Sequence, residues 1–369
     1  MSKKCTVNRR EFMRISVGAA ALGLGGCRNR QFMRVTKQPN IVFIIADDMG
    51  WKDIVYHGSE IMTPNLDQLA KTGRVFDQHY VMPTCTPTRV GLLSGQYPSR
   101  YGVLGPDYGK IFDDDTLTLA EVLKRCGYTT HIAGKWHVGS APEYTPMKYG
   151  FTSSYGYFAG QIDPYTHLYK TGEKTWHHND EIIDESGHVT GLITDNAIEY
   201  IKAQHTKPFF LYVAFSVPHY PLKEPSEWLA MYPDIQEESR KWFAASVSHM
   251  DDGIGKIVGA LDETGMRKNT LLVFVSDNGG QKNWPFITGA TKQIVERTFY
   301  WKTSGASALR MGDWKLIVYR VDGQIELFNL KNDPLEKNDL AKQESQRVME
   351  LKVVLEQIAS RDRENISLY

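Results

Sequence analysis

The stretch NIVFIIADD at residues 40–48 and its counterpart LLVFVSDNGG at residues 271–280 decide the fold. Each apolar run is short, rich in β-branched residues and apolar at odd and even positions alike. That is the pattern of a strand buried on both faces of a parallel sheet. Each run stops at side chains with hard oxygen atoms, Asp47 and Asp48 in the first and Asp277 and Asn278 in the second. Open parallel sheets bind ligands beyond the carboxyl ends of their strands. The four side chains are therefore expected at one sheet edge, where a cluster of oxygen donors suits Ca2+ or Mg2+. Taken singly, either pair also reads as a helix cap at a strand–turn junction.

Outward from these runs, strand and helix patterns alternate. The spacing predicts a helix over 63–71, a strand over 74–80, a helix start over 89–93 and a helix over 116–125. A strand over 129–133, a helix over 193–203, a strand over 209–215 and a long helix over 239–264 follow. This alternation predicts a doubly wound α/β sheet. Polar groups recur where the strands end, at Asp47 and Asp48, Lys135 and His137, His219, and Asp277 and Asn278, which points to a site assembled at one edge. Residues 307–319 and 324–330 read as antiparallel strands and 344–361 as an amphipathic helix. Residues 151–178, rich in Tyr, Trp and His, read as a loop, either suited to stacking on sugars or simply packed.

The chain has 369 residues, 41% of them apolar, with 43 basic and 43 acidic side chains interspersed. That composition supports a large core and offers no basic stripe, so no nucleic-acid partner is expected. The N-terminus reads as a targeting segment. Residues 8–14, NRREFMR, resemble a twin-arginine export motif, and the apolar run 15–26 is too short to span a bilayer comfortably. It ends LGGC at Cys27, similar to a bacterial lipoprotein cleavage box; an ordinary cleaved signal with an incidental cysteine is the alternative. The expected product is an exported bacterial protein, periplasmic or held to the membrane only by a lipid anchor at Cys27. Cys126, at the end of a helix before Gly127, reads as a small core residue. That leaves Cys85 as the thiol with chemistry to explain.

Cys85 opens CTPTRVGLLSG at residues 85–95. The stretch resembles the signature of the type I sulfatases, Cys-x-Pro-x-Arg at a helix start. Other blocks of that family appear in order: ADD at 46–48, GKWH at 134–137, PHYP at 218–221 and SDNGG at 276–280. The likeness runs from about residue 39 to the C-terminus, with wording most similar to the arylsulfatase B group, including NWPF at 283–286. The resemblance implies an alkaline-phosphatase-like mixed α/β sheet over 39–300 and a C-terminal subdomain over 301–369 with a small antiparallel sheet and helix, while residues 1–26 read by their own pattern as a signal peptide. It implies a hydrolase of sulfate esters on a sulfated saccharide or aryl sulfate. In such a protein Cys85 is converted to formylglycine by an installing enzyme, and its hydrate is the nucleophile. Asp47, Asp48, Asp277 and Asn278, with the modified Cys85, would hold Ca2+. Arg89, Lys135 and His137 would bind the sulfate and the hydrate, and His219 would serve the leaving oxygen.

The chain also departs from the family. A further lysine is expected after the Asp-Asn pair, and Lys292 matches it best, with Lys282 as runner-up. Glu296 is followed at once by RTFYW at 297–301, wording that belongs to the family's late segment. The region between is absent, roughly 100 residues on typical domain lengths. Its loss is expected to leave an apolar face open beside 286–300 and to leave Lys292 poorly held. Two alternatives follow. One is a degenerate sulfatase that binds Ca2+ and anions without turnover; the other is a phosphatase or phosphonate hydrolase of the same fold.

Overall fold

The computed structural model describes residues 38–76, 79–106, 109–139, 142–279 and 298–363. Its first strand is β1 (Asn40–Ala46). Side chains alternate along a strand, so Val42, Ile44 and Ala46 enter one apolar core while Ile45, with Ile41 and Phe43, faces a second. A strand apolar at every position must be covered twice, and the rest of the chain supplies the covers. In chain order there follow α1 (Pro64–Thr72), α2 (Cys85–Ser94), α3 (Leu119–Arg125), β2 (Thr129–Lys135), β3 (Ser153–Tyr157), β4 (Trp176–His178), β5 (Glu181–Ile182), α4 (Val189–Lys202), β6 (Phe209–Ala214), α5 (Ser226–Leu229), α6 (Glu238–Glu263) and β7 (Thr270–Ser276).

The strands lie in the order β5-β4-β3-β2-β6-β1-β7. The five from β3 to β7 are parallel, and β4 and β5 add an antiparallel margin. Helices α1, α4 and α6 cover the face of Val42, while α2 and α3 cover the face of Ile45. The fold is thus a mixed α/β sheet with helices on both sides. A second, antiparallel sheet follows, of β8 (Thr298–Lys302), β9 (Ala306–Met311), β10 (Trp314–Tyr319) and β11 (Ile325–Asn329). α7 (Ser345–Ala359) lays Leu351 and Leu355 on its Tyr300, Leu309, Leu316 and Leu327. This sheet begins at Thr298, three residues before the expected boundary. Asp362 joins it to the main body, accepting from Arg100 at 2.6 Å, Ser99 Oγ at 2.8 Å and Tyr300 Oη at 2.6 Å.

Four expectations are corrected. No strand forms over the described part of 74–80. Val75 is 40% and Phe76 75% exposed, and the ring of Tyr80 packs on Phe299 and Trp301 instead. An apolar alternation cannot make a strand without a ladder to join. The segment 151–178 is not all loop, since β3 and β4 lie within it; Ser153–Tyr157 reads SSYGY and lacks the β-branched signal. α3 starts at Leu119 rather than 116, because the Thr118 hydroxyl accepts the Glu121 N–H at 3.1 Å and caps the helix there. Cys126 is exposed, not core, because α3 ends before it and turns it outward.

β7 is the outermost described strand of its sheet. β6 is sealed along its whole length, but β7 is only half-buried and Leu271 is 54% exposed. Beside β7 lies a groove of about 1740 Å³ lined by Phe43, Leu272 and Phe274 on the sheet side and by Phe243, Trp301 and Arg310 around it. Residues 280–297, with Lys282 and Lys292, lie outside the described residues, as do residues 1–37 with the export segment.

Candidate active site

β2, β6, β1 and β7 are adjacent and parallel, so their carboxyl ends open on one edge. Asp47 and Asp48 follow β1, Lys135 ends β2, His219 lies on the loop after β6, and Asp277 and Asn278 follow β7. Asp48 and His137 take left-handed backbone, at φ +70° and +52°, which turns the chain sharply where each strand stops. Gly134 sets how Lys135 arrives. Its φ is +113°, and a Cβ there would sit 1.9 Å from the Ala214 carbonyl oxygen of β6. Any larger residue would push β2 off its neighbour.

The crossing element is α2, which begins at Cys85 and carries Arg89 one turn on, both buried. Arg89 donates through Nε at 3.1 Å and Nη2 at 2.8 Å to Asp277 Oδ2, and through Nη1 at 3.0 Å to the Lys135 carbonyl. Lys135 Nζ donates to Asp47 Oδ2 at 2.5 Å. The Asp48 N–H donates to Asp277 Oδ1 at 3.2 Å, and the Asn278 amide donates to Asp48 Oδ1. His219 Nε2 stands 3.8 Å from Asp48 Oδ2. The Cys85 thiol and carboxylate oxygens of Asp47 and Asp277 all lie within 4.8 Å of one another.

Three buried carboxylates therefore face two buried cations. Burial first, then the charge of Asp47, push the Asp277 carboxyl up, against the pull of Arg89 and Lys135. Burial opposes the charge on Lys135, but Asp47 beside it wins and its ammonium is held above its ordinary range. Burial, with Lys135, Arg89 and His219 nearby, holds His137 well below the usual imidazole range, so it is neutral. Burial pushes the Cys85 thiol up to about 11. Two oxygens of the cluster, Asp47 Oδ1 and Asn278 Oδ1, are buried and take no hydrogen bond among the described residues. Surplus negative charge and orphaned hard oxygens together fit a cation such as Ca2+, with Asp47, Asp48, Asp277 and Asn278 as its ligands.

The structure thus gathers Asp47, Asp48, Cys85, Arg89, Lys135, His137, His219, Asp277 and Asn278; Lys292 lies outside the described residues. Sequence reasoning missed two supports. Tyr157, paired in register with Lys135 at the end of β3, is fully buried, and its hydroxyl takes no hydrogen bond among the described residues. The charges of Asp47, Asp277 and Cys85 act on it after burial itself, which pushes its phenol well up. The signal was the last position of a strand the pattern did not show. Gly160 lies against the ring of His137, where a Cβ would meet Nε2 at 2.5 Å. Only a residue without a side chain leaves that imidazole its place.

Comparison with known proteins agrees with this geometry. The model of the sulfatase family matches residues 39–293. Mouse arylsulfatase J is 36% identical over 274 residues, covering 68% of this chain and 45% of that protein. Mouse N-acetylgalactosamine-6-sulfatase is 33% identical over 287 residues, covering 68% of this chain and 54% of that protein. The chain thus spans about half the length of these curated relatives. Among solved structures, the crystal structure of Ps i-CgsB in complex with k-i-k-neocarrahexaose matches with a TM-score of 0.80 at 26% identity, over 90% of this chain and 95% of that one. The family model covers the whole main sheet and every described residue of the site, and the chain belongs to the sulfatase family.

Proposed function

We propose that the protein hydrolyses sulfate esters, with sulfated carbohydrate as its substrate class. The observation that carries this reading is the placing of Cys85. It opens a buried helix within 4.8 Å of Asp47 and Asp277 and is flanked by two buried cations, Arg89 and Lys135. A thiol pushed up to about 11 stays protonated at neutral pH and is a poor nucleophile, so its position calls for other chemistry. Formylglycine made from Cys85 would supply a hydrate oxygen to attack sulfur. Ca2+ held by Asp47, Asp48, Asp277 and Asn278 would supply Lewis-acid polarisation of the sulfate.

The chain's own residues do the rest. Arg89 and Lys135 offset the negative charge of the ester and the charge that gathers on its oxygens in the transition state. His137, neutral and buried, offers a hydrogen bond without adding charge. His219 is half-buried, with Nδ1–H on the Tyr220 carbonyl at 2.5 Å, which leaves Nε2 toward the site; in its doubly protonated form the ring would hand the Nε2 proton to the departing alcohol and be left neutral. The saccharide class is supported by the relatives' names and by the carbohydrate bound in the matching crystal structure. We also propose export through the segment 1–26. Lysine at positions 9 and 10 should then trap the protein inside the cell, and normal secretion of that variant would remove the proposal.

The test is turnover of an aryl sulfate together with the intact mass of the peptide that carries Cys85. Active protein should show the mass loss of thiol-to-aldehyde conversion. Cys85→Ala should lose activity at least a thousandfold with its fold intact, while Cys126→Ala, at an exposed site, should keep it. Conversion without turnover would favour the second reading, a sulfatase-like binder of Ca2+ and anions, which half-buried β7, with no strand beyond it among the described residues, favours.

A further inference from the structure

Away from this site, three elements bring two imidazoles and a carboxylate together. His188 stands at the N-cap of α4, Glu224 on the loop between β6 and α5, and His249 on α6. Glu224 Oε2 is 2.6 Å from His249 Nδ1, and Oε1 is 3.7 Å from His188 Nε2. The Glu224 side chain is 0% exposed, and neither its Oε1 nor His188 Nε2 makes a hydrogen bond among the described residues. One ligand atom from each residue lies within 4.8 Å of the others. Trp228 stacks on His249 at 4.8 Å and 15°, and Tyr165 sets its edge on His188 at 5.1 Å. The rings are therefore held in place.

We propose that His188, Glu224 and His249 form a second metal site, which takes Zn2+ or a neighbouring first-row divalent ion through two nitrogens and one oxygen and leaves a fourth position to water. A buried carboxylate with a bare oxygen facing a bare imidazole nitrogen is a costly arrangement for a core that lacks a ligand. A cation between them satisfies both. Two imidazoles and a carboxylate are the donor set of open four-coordinate zinc sites. Nitrogen donors select such metals over the Ca2+ that an all-oxygen cluster prefers. Zinc bonds of about 2.0–2.2 Å place ligand atoms roughly 3.3 Å apart, so shifts of about an ångström from the present spacing close the site. A metal on His188 Nε2 and His249 Nδ1 requires the ring protons on the other nitrogens; it gives up the long contact from the Thr190 N–H, 3.3 Å, and replaces the 2.6 Å hydrogen bond between His249 Nδ1 and Glu224 Oε2.

Glu224 follows His219 on one loop, and the metal would tie that loop to α4 and α6. The site differs from the Ca2+ cluster in every residue, so its test is independent of sulfate hydrolysis. The full protein, stripped with chelator, is titrated with Zn2+ by calorimetry, and Co2+ is used as a visible probe. One equivalent of Zn2+ should bind beyond any Ca2+ taken up. Co2+ should give the intense visible bands of a four-coordinate site rather than the weak ones of six oxygens. Glu224→Gln, equal in shape, and His249→Ala should each weaken zinc binding at least tenfold, while Asp277→Asn should leave it unchanged. No zinc bound by wild type, six-coordinate Co2+ spectra, or equal binding in the Glu224 and His249 variants would each overturn the proposal. The Co2+ spectrum of wild type decides the matter even where a variant fails to fold.

Discussion

Lys135 is fully buried, yet its charge is kept, because Asp47 accepts from it at 2.5 Å and a neutral lysine would leave that carboxylate unpaired. The same logic runs through Arg89 and Asp277. Lys135 pairs with Asp47 and Arg89 with Asp277, while Asp47 lies 3.8 Å from Arg89 as well and Asp48 meets Asn278 and His219. The remaining negative charge is the reason a cation should stabilise the fold. Ca2+ at about a hundred times its dissociation constant should add roughly 2.7 kcal/mol, read as a rise in Tm over chelator-treated protein. Asp277→Asn should remove most of that rise. An unchanged Tm on adding Ca2+ would mean that the oxygens of Asp47 and Asn278 serve no metal.

Among elements, the contrast between β6 and β7 is the sharpest. Both are apolar through their middle, and both pair with β1. β6 is closed on both faces and both edges, while β7 has β1 on one side and no described strand on the other. Leu211 on β6 is 0% exposed and Leu271 on β7 is 54% exposed. Leu271→Lys should therefore change stability by about 0.5 kcal/mol or less and reduce aggregation, since a charged edge resists strand addition. Leu211→Lys should abolish soluble expression. Comparable losses from the two would show that β7 is covered in solution, and a partner or the segment 280–297 would then be sought on it.

Across the molecule, several imidazoles are buried neutral, and two that belong to neither proposed metal site set a pH dependence. His131, held by Ser153 Oγ and Asn196 Oδ1, is pushed down by burial to about 4, and His177, stacked on Phe158, to about 3. In the unfolded chain both take up protons near 6.5. In the fold they stay neutral until the pH nears their depressed values. The unfolded state thus binds more protons below about pH 6.5, and stability is present above that value and lost as the pH falls toward 4. At about 1.4 kcal/mol per pH unit for each group, the loss between pH 7 and 4.5 should be on the order of 5 kcal/mol, measured by urea unfolding. A flat profile would show that the fold accepts these protons.

What the sequence determined by itself is local and ordered. The apolar runs at 40–46 and 271–276, their acidic endings and the motif around Cys85 are legible without a structure, because strand period, chain-end polarity and motif spacing are properties of neighbouring residues. The mixed sheet and the convergence of Asp47, Asp48, Asp277 and Asn278 follow from them, since parallel strands put like ends together. Tertiary structure decided the rest. The exposure of Cys126 depended on where α3 stopped, and β3 was invisible because SSYGY becomes a strand only beside β2. The need for glycine at 134 arises from the Ala214 carbonyl of another strand, and the meeting of His188, Glu224 and His249 from the packing of two helices around one loop. Such proximities come from the order of strands and the paths of crossovers, which no local pattern encodes.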